Sequence, residues 1–284
     1  MCAGVECAKS PHRVSWSEGA CVESSAHSGS FLHSGEAYDL FMGRYSNVLA
    51  APFVSAAGVT EGMRVLDVGC GPGALTRELV RRLGADSVTA IDPSPPFVEA
   101  CIASCPGVSV QLGDAQAIPF PDASFDAALA QLVLHFVPDP VRAGTEFYRV
   151  VRPEGVAAAC VWDFAEEMEM LRYFWDAALA IDASAPDEAR TLRFGREGEV
   201  VGWLEEAGFV DVTETTLKVD STYADFDELW AGFLHGIGPA GAYCVSLDDD
   251  DRERLRTELF ERIGSPTGQL HLGARARAAV GRRP

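Results

Sequence analysis

The stretch RVLDVGCGPGALTREL, residues 64–79, places three glycines between an apolar run and a helical pattern. The apolar run predicts a strand over 63–68, and the pattern after it predicts a helix over 73–83. Glycines at this junction permit a tight turn and let a ligand come close to the backbone. The first N–H groups of the helix attract an anion, which here would be a pyrophosphate or a carboxylate.

Beyond this loop, short β-type runs alternate with helical patterns, which predicts a parallel sheet with helices on both faces. The run VDVTETTLKV alternates as a further strand, and residues 270–280 alternate as a last strand that we expect to pair antiparallel with 209–219. The other predicted strands are 87–92, 107–111, 125–131 and 155–163, and the predicted helices between them are 95–103 and 141–151.

Three segments lie outside this alternation. Residues 1–30 lack periodicity and are rich in Ser, Gly, Ala and Cys, which predicts a disordered leader before a single domain over 31–284. Residues 36–57 have apolar side chains at helical spacing interrupted at Gly43, which predicts two short helices that form a lid. Residues 225–262 predict a helical insertion that caps the site before the last strand.

Composition and charge limit the partners of the chain. The 284 residues carry a formal net charge of −19, which disfavours phosphate backbones and anionic lipid surfaces as partners. No membrane-length apolar run and no signal-peptide pattern occur, so we expect a cytoplasmic protein. The eight cysteines form no CxxC pair, which predicts small buried or surface thiols and no metal site.

The strand SVTAID ends in Asp92, which follows the glycine loop by one helix and one strand. A carboxylate at that place can accept hydrogen bonds from both hydroxyls of a ribose. Its alternative role is to cap the helix that begins near Pro95. Because Gly69, Gly71 and Ala74 also satisfy a loose dinucleotide pattern, the loop alone does not choose between nucleoside cofactors.

Four segments together resemble the class I S-adenosylmethionine-dependent methyltransferases, of the small-molecule type related to the ubiquinone and menaquinone methyltransferases. The resemblance covers about residues 36–220. It implies a Rossmann-like seven-stranded sheet in the order 3-2-1-4-5-7-6, S-adenosylmethionine as cofactor, and a small-molecule acceptor. The segments are VLDVGCGPGALT, AIDPSPPFVEAC, LGDAQAIPFPDASFDAALAQLVLHFVPDP and EFYRVVRPEGVAAACVWD.

The resemblance also implies a role for individual residues. Asp67 and the loop backbone would hold the methionine end of the cofactor, unless Asp67 only satisfies loop N–H groups. Asp114 would accept from the adenine amino group, unless it is only a turn residue. Arg44 would pair with the methionine carboxylate, unless it is a solvated surface arginine. The complete set of predicted cofactor residues is Arg44, Asp67, Gly69, Cys70, Gly71, Gly73, Asp92, Pro93, Asp114, Ala115, Gln131 and Leu132.

Two residues at strand ends are candidate bases for methyl transfer. His135 follows the fourth strand and Asp163 ends the fifth, although a histidine at that place is at least as often a packing residue. The glycine-rich segment around 233–244 predicts a loop over the acceptor, with His235 and Tyr243 facing it. Aromatic walls for the acceptor, or alternatively core residues, are Trp162, Phe164, Trp175 and Trp230.

Two other functions fit parts of the sequence. A protein that binds S-adenosylmethionine without transferring its methyl group would keep the same loop. A nicotinamide-dependent oxidoreductase would share the glycines and Asp92, but it leaves the segment GDAQAIPFPD unexplained. Methylation of DNA is disfavoured by the charge and by Gln131-Leu132-Val133-Leu134, where such enzymes carry an acidic or amide residue followed by two prolines.

Overall fold

A computed structural model describes residues 38–284, apart from the side chain of Asp39. The leader predicted for residues 1–30 and the first residues of the predicted lid lie outside this described range. Within residues 38–284, no helix is both long enough and apolar enough to cross a bilayer.

One seven-stranded sheet forms the centre of the molecule. Its strands are β1 (Val65–Val68), β2 (Val88–Asp92), β3 (Ser109–Leu112), β4 (Phe125–Gln131), β5 (Val151–Trp162), β6 (Val210–Tyr223) and β7 (Leu270–Arg282). The order is β3-β2-β1-β4-β5-β7-β6, with β7 antiparallel to both of its neighbours and the other pairs parallel. The predicted strand order and the predicted antiparallel last strand are both confirmed.

Helices cover both faces of this sheet, so strand residues that point in opposite directions enter two separate apolar cores. Leu129 and Ala158 face one core, while their neighbours Ala128 and Ala159 face the other. This two-sided burial explains why β1 is apolar at three of its four positions. The helices are α1 (Arg44–Ala56), α2 (Ala74–Leu83), α3 (Pro95–Ser104), α4 (Pro140–Val150), α5 (Glu169–Ile181), α6 (Glu188–Thr191), α7 (Glu199–Glu206), α8 (Phe226–Phe233), α9 (Gly238–Ser246) and α10 (Asp249–Arg262).

The strand order reverses beside β1. The chain leaves β1 for β2 and β3 on one side and returns to β4 on the other side. Such a reversal opens a crevice at the carboxyl ends of the two strands, where ligands of doubly wound sheets bind. The glycine loop after β1 lies at this crevice.

The predicted pair of short lid helices is wrong in one respect. A π-helical turn, Asp39–Gly43, runs directly into α1, and Gly43 lies in the ordinary right-handed helical region with φ −59°. The side chains of Tyr45, Leu49 and Phe53 are fully buried. The chain therefore stays helical at Gly43 but changes there from a π-helical to an α-helical turn, and an apolar stripe anchors α1 against α2 and β6.

The predicted helical segment before the last strand consists of α8, α9 and α10. Two helices between β5 and β6, α5 and α6, were not predicted. Helix α5 packs against α9, α10 and β7, so it connects this helical segment to the sheet. It carries Phe174 and Trp175, which are both fully buried.

Candidate active site

The glycine loop has the backbone geometry that its sequence predicts. Gly69 and Gly71 have φ values of +74° and +52°, in the left-handed region that side chains rarely adopt. A Cβ atom on Gly69 would lie 2.5 Å from a methyl carbon of Val133, whereas one on Gly71 would meet nothing within 4 Å. The loop is therefore packed against β4 at Gly69 and open at Gly71.

Asp92 fastens this loop to the end of β2. Its carboxylate accepts the backbone N–H of Gly71 at 2.9 Å and the backbone N–H of Ser94, also at 2.9 Å. Ser94, not Asp92, is the N-cap residue of α3, and Pro93 between them is exposed. Burial raises the pKa of Asp92 to about 6, although both N–H groups act in the opposite direction. The carboxylate thus lies beside the open part of the loop.

Asp67, in β1, is a buried carboxylate with one unsatisfied oxygen. Its Oδ2 accepts from the hydroxyl of Thr76 at 2.6 Å, while Oδ1 is buried without a hydrogen-bond partner. Burial raises the pKa of Asp67 to about 7. The hydrogen bond of Asp67 comes from a side chain of α2, and within the described residues the Asp67 side chain accepts no loop N–H group. An unpartnered buried acceptor requires a donor, and a ligand ammonium group would supply one.

We expect Asp67→Asn to stabilise the ligand-free protein at pH 8 by about 2 kcal/mol, and by much less at pH 4. The folded pKa of Asp67, about 7, lies above the ordinary value of 3.8. The stability that comes from protonated Asp67 is therefore present below pH 4 and is lost as the pH rises through 7. Asparagine keeps the shape without this loss.

Urea unfolding at both pH values measures the difference. The exposed Asp86 lies before the other end of β2, and Asp86→Asn is the matched control with no expected change. A stability difference between wild type and Asp67→Asn that is the same at pH 4 and pH 8 would contradict a raised pKa.

At the end of β3, Asp114 is exposed and Ala115 is buried. The carboxylate of Asp114 accepts the backbone N–H of Gln116 at 2.8 Å and its side-chain amide at 3.0 Å. These contacts form a local turn, which is the role expected of Asp114 if it does not bind the cofactor. Because this carboxylate is exposed, it can still accept from a ligand.

Gln131 and Leu132 connect β4 to the N-terminal helix and to the loop. The side-chain amide of Gln131 donates to the carbonyl of Ser46 in α1 at 2.9 Å, while its Oε1 is buried without a partner. Leu132 adopts φ +63°, a strained value for a leucine, and its N–H donates to the carbonyl of Cys160. A strained backbone here turns the chain directly beside the crevice.

Cys70 packs with Cys101 and Cys105 in a small buried cluster behind the loop. A hydrogen bond with Cys101 lowers the pKa of the Cys70 thiol, but burial and neighbouring carboxylates outweigh it and raise that pKa. The pKa of Cys101 is lowered by a hydrogen bond with Cys105 and raised, overall, by a hydrogen bond with Cys70 and by burial. The five cysteines within the described residues are buried free thiols. Among these residues, no group of His, Cys, Asp and Glu side chains could hold a metal ion.

Arg44 is a correction to the predicted cofactor set. Its guanidinium donates to Glu228 at 2.7 Å and to the carbonyl of Thr222 at 2.9 Å, and it stacks over the ring of Tyr223. Thr222 belongs to β6, four strands from β1 in the sheet, which corresponds to roughly 19 Å. Arg44 therefore fastens α1 to β6 and α8, and these contacts occupy its guanidinium in this structure.

Asp163 is a second correction. Its carboxylate is 2 % exposed and accepts from Arg277 at 2.9 Å, with Arg275 at 3.5 Å. A carboxylate held by two arginines of β7 is a poor proton acceptor and has a structural role in joining β5 to β7. The position of Asp163 at a strand end did not indicate that arginines of β7 would hold its carboxylate.

His135 lies beside the crevice, but its surroundings weaken it as a base. Burial lowers its pKa to about 3, so the imidazole is neutral at physiological pH. Its Nδ1 is buried without a partner, and its ring contacts those of Phe136 and Phe164. This group is better suited to a hydrogen bond with a ligand than to the removal of a proton.

A narrow cavity, partly open to solvent, adjoins the crevice at Leu132. Its walls come from the N-terminal helix, the ends of β4 and β5, α5, α6 and the start of α9. Because Val133 touches Gly69, this cavity and the glycine loop meet at the end of β4. The lining residues include Tyr38, Phe41, Met42, Leu132, His135, Phe136, Trp162, Phe164, Leu171, Glu188, Ile237 and Ala240.

The predicted aromatic walls are only partly present. Trp162 and Phe164 line the cavity, whereas Trp175 lies behind it and Trp230 packs against Phe233. The predicted loop contributes Ile237–Ala240, but His235 is exposed and Tyr243 packs against Trp175. Glu188, a buried carboxyl group in the same wall, was missed, because nothing in its sequence neighbourhood distinguishes it from a surface residue.

Comparison with known proteins agrees with this geometry. Residues 66–159, which contain the glycine loop, Asp92, Asp114 and Gln131, match the sequence model of a methyltransferase domain. Residues 66–159 therefore form a methyltransferase domain. The strand order observed in the sheet is the one that the resemblance to this family implies.

Individual relatives of this methyltransferase domain act on different molecules. The chain is 33% identical over 152 residues to a rice chloroplast 2-methyl-6-phytyl-1,4-hydroquinone methyltransferase, an alignment of 53% of this chain and 40% of the relative. It is 33% identical to a malonyl-[acyl-carrier protein] O-methyltransferase of Halorhodospira halophila over 63% of this chain and 59% of the relative. The chain thus spans about half the length of these curated relatives.

The fold also matches solved structures. A phosphoethanolamine N-methyltransferase of Haemonchus contortus, solved with S-adenosylhomocysteine, superimposes with a TM-score of 0.54 at 14% identity, over 88% of this chain and 57% of that one. At this identity the match concerns the fold alone. The chain therefore shares its fold with this solved methyltransferase.

Proposed function

We propose that this protein transfers a methyl group from S-adenosylmethionine to a small-molecule acceptor by in-line displacement. The observation that carries the proposal is the buried, unpartnered Oδ1 of Asp67 at the crevice. It fits the ammonium group of a bound methionine moiety, which would restore the missing hydrogen bond. Bound there, the cofactor supplies a methyl group on a positively charged sulfur.

Apart from Arg44, the other predicted cofactor residues are consistent with this proposal. Asp92 would accept from the ribose hydroxyls, with Pro93 beside it, and the exposed carboxylate of Asp114 would accept from the adenine amino group with Ala115 behind it. The backbone from Gly69 to Gly73, including Cys70, would lie along the methionine moiety. Gln131 and Leu132 would lie where the cofactor site meets the acceptor cavity.

The chain's own work in such a reaction is positional. A displacement needs the acceptor atom about 3 Å behind the methyl carbon and in line with the bond that breaks, in a site from which water is excluded. The apolar walls supplied by Phe41, Trp162 and Phe164 would exclude water from the acceptor cavity. The strained turn at Leu132 would fix the boundary between the two halves of the site.

Calorimetry with S-adenosylhomocysteine and with NAD tests the cofactor assignment. We expect only S-adenosylhomocysteine to bind, and we expect its affinity to increase from pH 6 to pH 8 as Asp67, with a pKa of about 7, becomes ionised. Asp67→Asn should remove most of this pH dependence. Binding of NAD alone would overturn the proposal.

A screen of metabolite extracts with methyl-labelled S-adenosylmethionine tests transfer itself. A labelled small molecule is the expected result. Binding of S-adenosylhomocysteine with no labelled product from any extract would favour the alternative of a protein that binds the cofactor without catalysis. The net charge of −19 argues against nucleic acid as the acceptor. The five buried free thiols fit a reducing compartment, and we propose the cytoplasm.

A further inference from the structure

Glu188 is the acidic residue in the wall of the acceptor cavity. It is 4 % exposed, and its Oε2 accepts the indole N–H of Trp175 at 2.7 Å. No other hydrogen bond is formed by this carboxyl group within the described residues. Its second oxygen is thus available to a molecule in the cavity that Glu188 lines.

The neighbours of Glu188 hold it in this place. Asp187 is the N-cap residue of α6 and accepts the N–H of Ala189 at 3.0 Å. Arg172 of α5 holds Asp187 with two hydrogen bonds, at 3.1 and 3.2 Å. This ion pair therefore holds the start of α6, where Glu188 lies.

Burial raises the pKa of Glu188 to about 7. The Trp175 N–H and the Arg172 charge lower this pKa, whereas the Asp187 charge raises it. His135, which also lines the cavity, stays neutral because its pKa is about 3. Glu188 is therefore the cavity group that changes charge near neutral pH.

We infer that Glu188 is the general base of this site and that the acceptor is an aromatic molecule carrying a hydroxyl group. The inference rests on the proposed methyl transfer. The cavity offers aromatic walls for a planar ring and one carboxylate to receive a hydroxyl proton. Two lining residues, His135 and Trp162, also carry buried ring nitrogens without partners, which can bond further oxygens of such a molecule.

An amine acceptor fits the same cavity less well. A carboxylate beside an amine stabilises the ammonium form, which has no lone pair for displacement. A phenol, in contrast, has a pKa of about 10, only three units above that of Glu188. The carboxylate can therefore take its proton as the new bond forms.

The proposed step transfers one proton to Glu188 and one methyl group to the acceptor oxygen. The acceptor O–H bond breaks, and its proton moves to the free oxygen of Glu188. The electron pair left on the acceptor oxygen forms the bond to the methyl carbon, the carbon–sulfur bond breaks, and its electron pair stays on sulfur. After the product leaves, Glu188 returns its proton to water.

Equilibrium binding tests the inference without turnover. The probes are 4-methylphenol and 2-naphthol, each paired with its methyl ether, titrated by calorimetry in saturating S-adenosylhomocysteine. We expect each phenol to bind about tenfold more tightly than its ether at pH 8.5, because its hydroxyl donates to a carboxylate. The preference should fall through a midpoint near pH 7 as Glu188 is protonated.

Glu188→Gln separates this role from a structural one. Glutamine can still accept the Trp175 N–H, so the fold should persist, but the pH dependence of the phenol preference should disappear. Trp175→Phe removes an interaction that lowers the pKa of Glu188, so the midpoint should move to higher pH. The exposed Glu205→Gln is the matched control and should behave as wild type.

Three results would count against the inference. They are equal binding of the phenols and their ethers, binding of neither, and a pH-dependent preference that persists in Glu188→Gln. In each case, intact binding of S-adenosylhomocysteine leaves the proposed methyl transfer standing. If S-adenosylhomocysteine itself does not bind to the wild type, the proposed function fails first, and the assignment of Glu188 fails with it.

Discussion

Gly69→Ala should lower the free energy of unfolding by about 4 kcal/mol. An alanine at φ +74° costs about 1–2 kcal/mol in backbone strain. The added methyl group would lie 2.5 and 2.8 Å from the two methyl carbons of Val133, which is closer than packed carbon atoms tolerate. Val133 cannot easily retreat, because the strained Leu132 fixes the backbone before it.

Chemical unfolding of two comparison variants separates these two costs. Gly62 has φ +88°, and a Cβ atom there would meet nothing within 4 Å, so Gly62→Ala should lose only the strain energy, about 1–2 kcal/mol. Adding Val133→Ala to Gly69→Ala should restore part of the lost stability. If Gly69→Ala is no less stable than Gly62→Ala, the close packing of the loop against β4 is wrong.

Much of the fold could be predicted because its signals are local. The strand over 125–131 was predicted with the bounds that the structure has, since an apolar run between turn residues is a short-range pattern. The order of the strands, in contrast, came from the family resemblance. Helix α5 was missed because its apolar residues pack against α9, α10 and β7, and nothing local shows which segment will cover them.

The residues of the candidate site also fall into two groups: those that local patterns could predict and those that depend on tertiary packing. Gly69 and Asp92 lie within one strand–loop–helix–strand unit, so spacing could place them together at the crevice. The role of Asp67, in contrast, came from the family resemblance. Asp163 was misjudged because its partner Arg277 comes from β7, at the far end of the sequence. For Glu188 the decisive features are burial and the Trp175 contact, and both depend on how α5 and α6 pack.

Arg44 shows a different limit of sequence reasoning. The position of Arg44 in the N-terminal segment was consistent with a contact to the cofactor. Charge and spacing, however, do not indicate whether its long side chain extends toward the crevice or toward the edge strand β6. Glu228, in α8, is the partner that decides the matter. The same contact also means that α1 is anchored on both sides, through Gln131 at β4 and through Arg44 at β6.

Asp92→Ala should weaken binding of S-adenosylhomocysteine by about 3 kcal/mol, which is more than a hundredfold. Two charge-assisted hydrogen bonds to the ribose would be lost together. The loop would also lose the acceptor of the Gly71 N–H, so the open part of the loop would no longer be held for the ligand. Calorimetry at pH 8, where a carboxyl group with a pKa of about 6 is ionised, measures the loss.

Two comparisons make this prediction specific. Asp86→Ala, an exposed substitution just before the start of the same strand, should leave the affinity unchanged. Affinity for 2′,3′-dideoxy S-adenosylhomocysteine, which lacks both ribose hydroxyls, should be nearly the same in wild type and Asp92→Ala apart from the loop contribution. An Asp92→Ala protein that binds S-adenosylhomocysteine as tightly as wild type would limit Asp92 to fastening the loop and Ser94, and the ribose would then have to be held by another group.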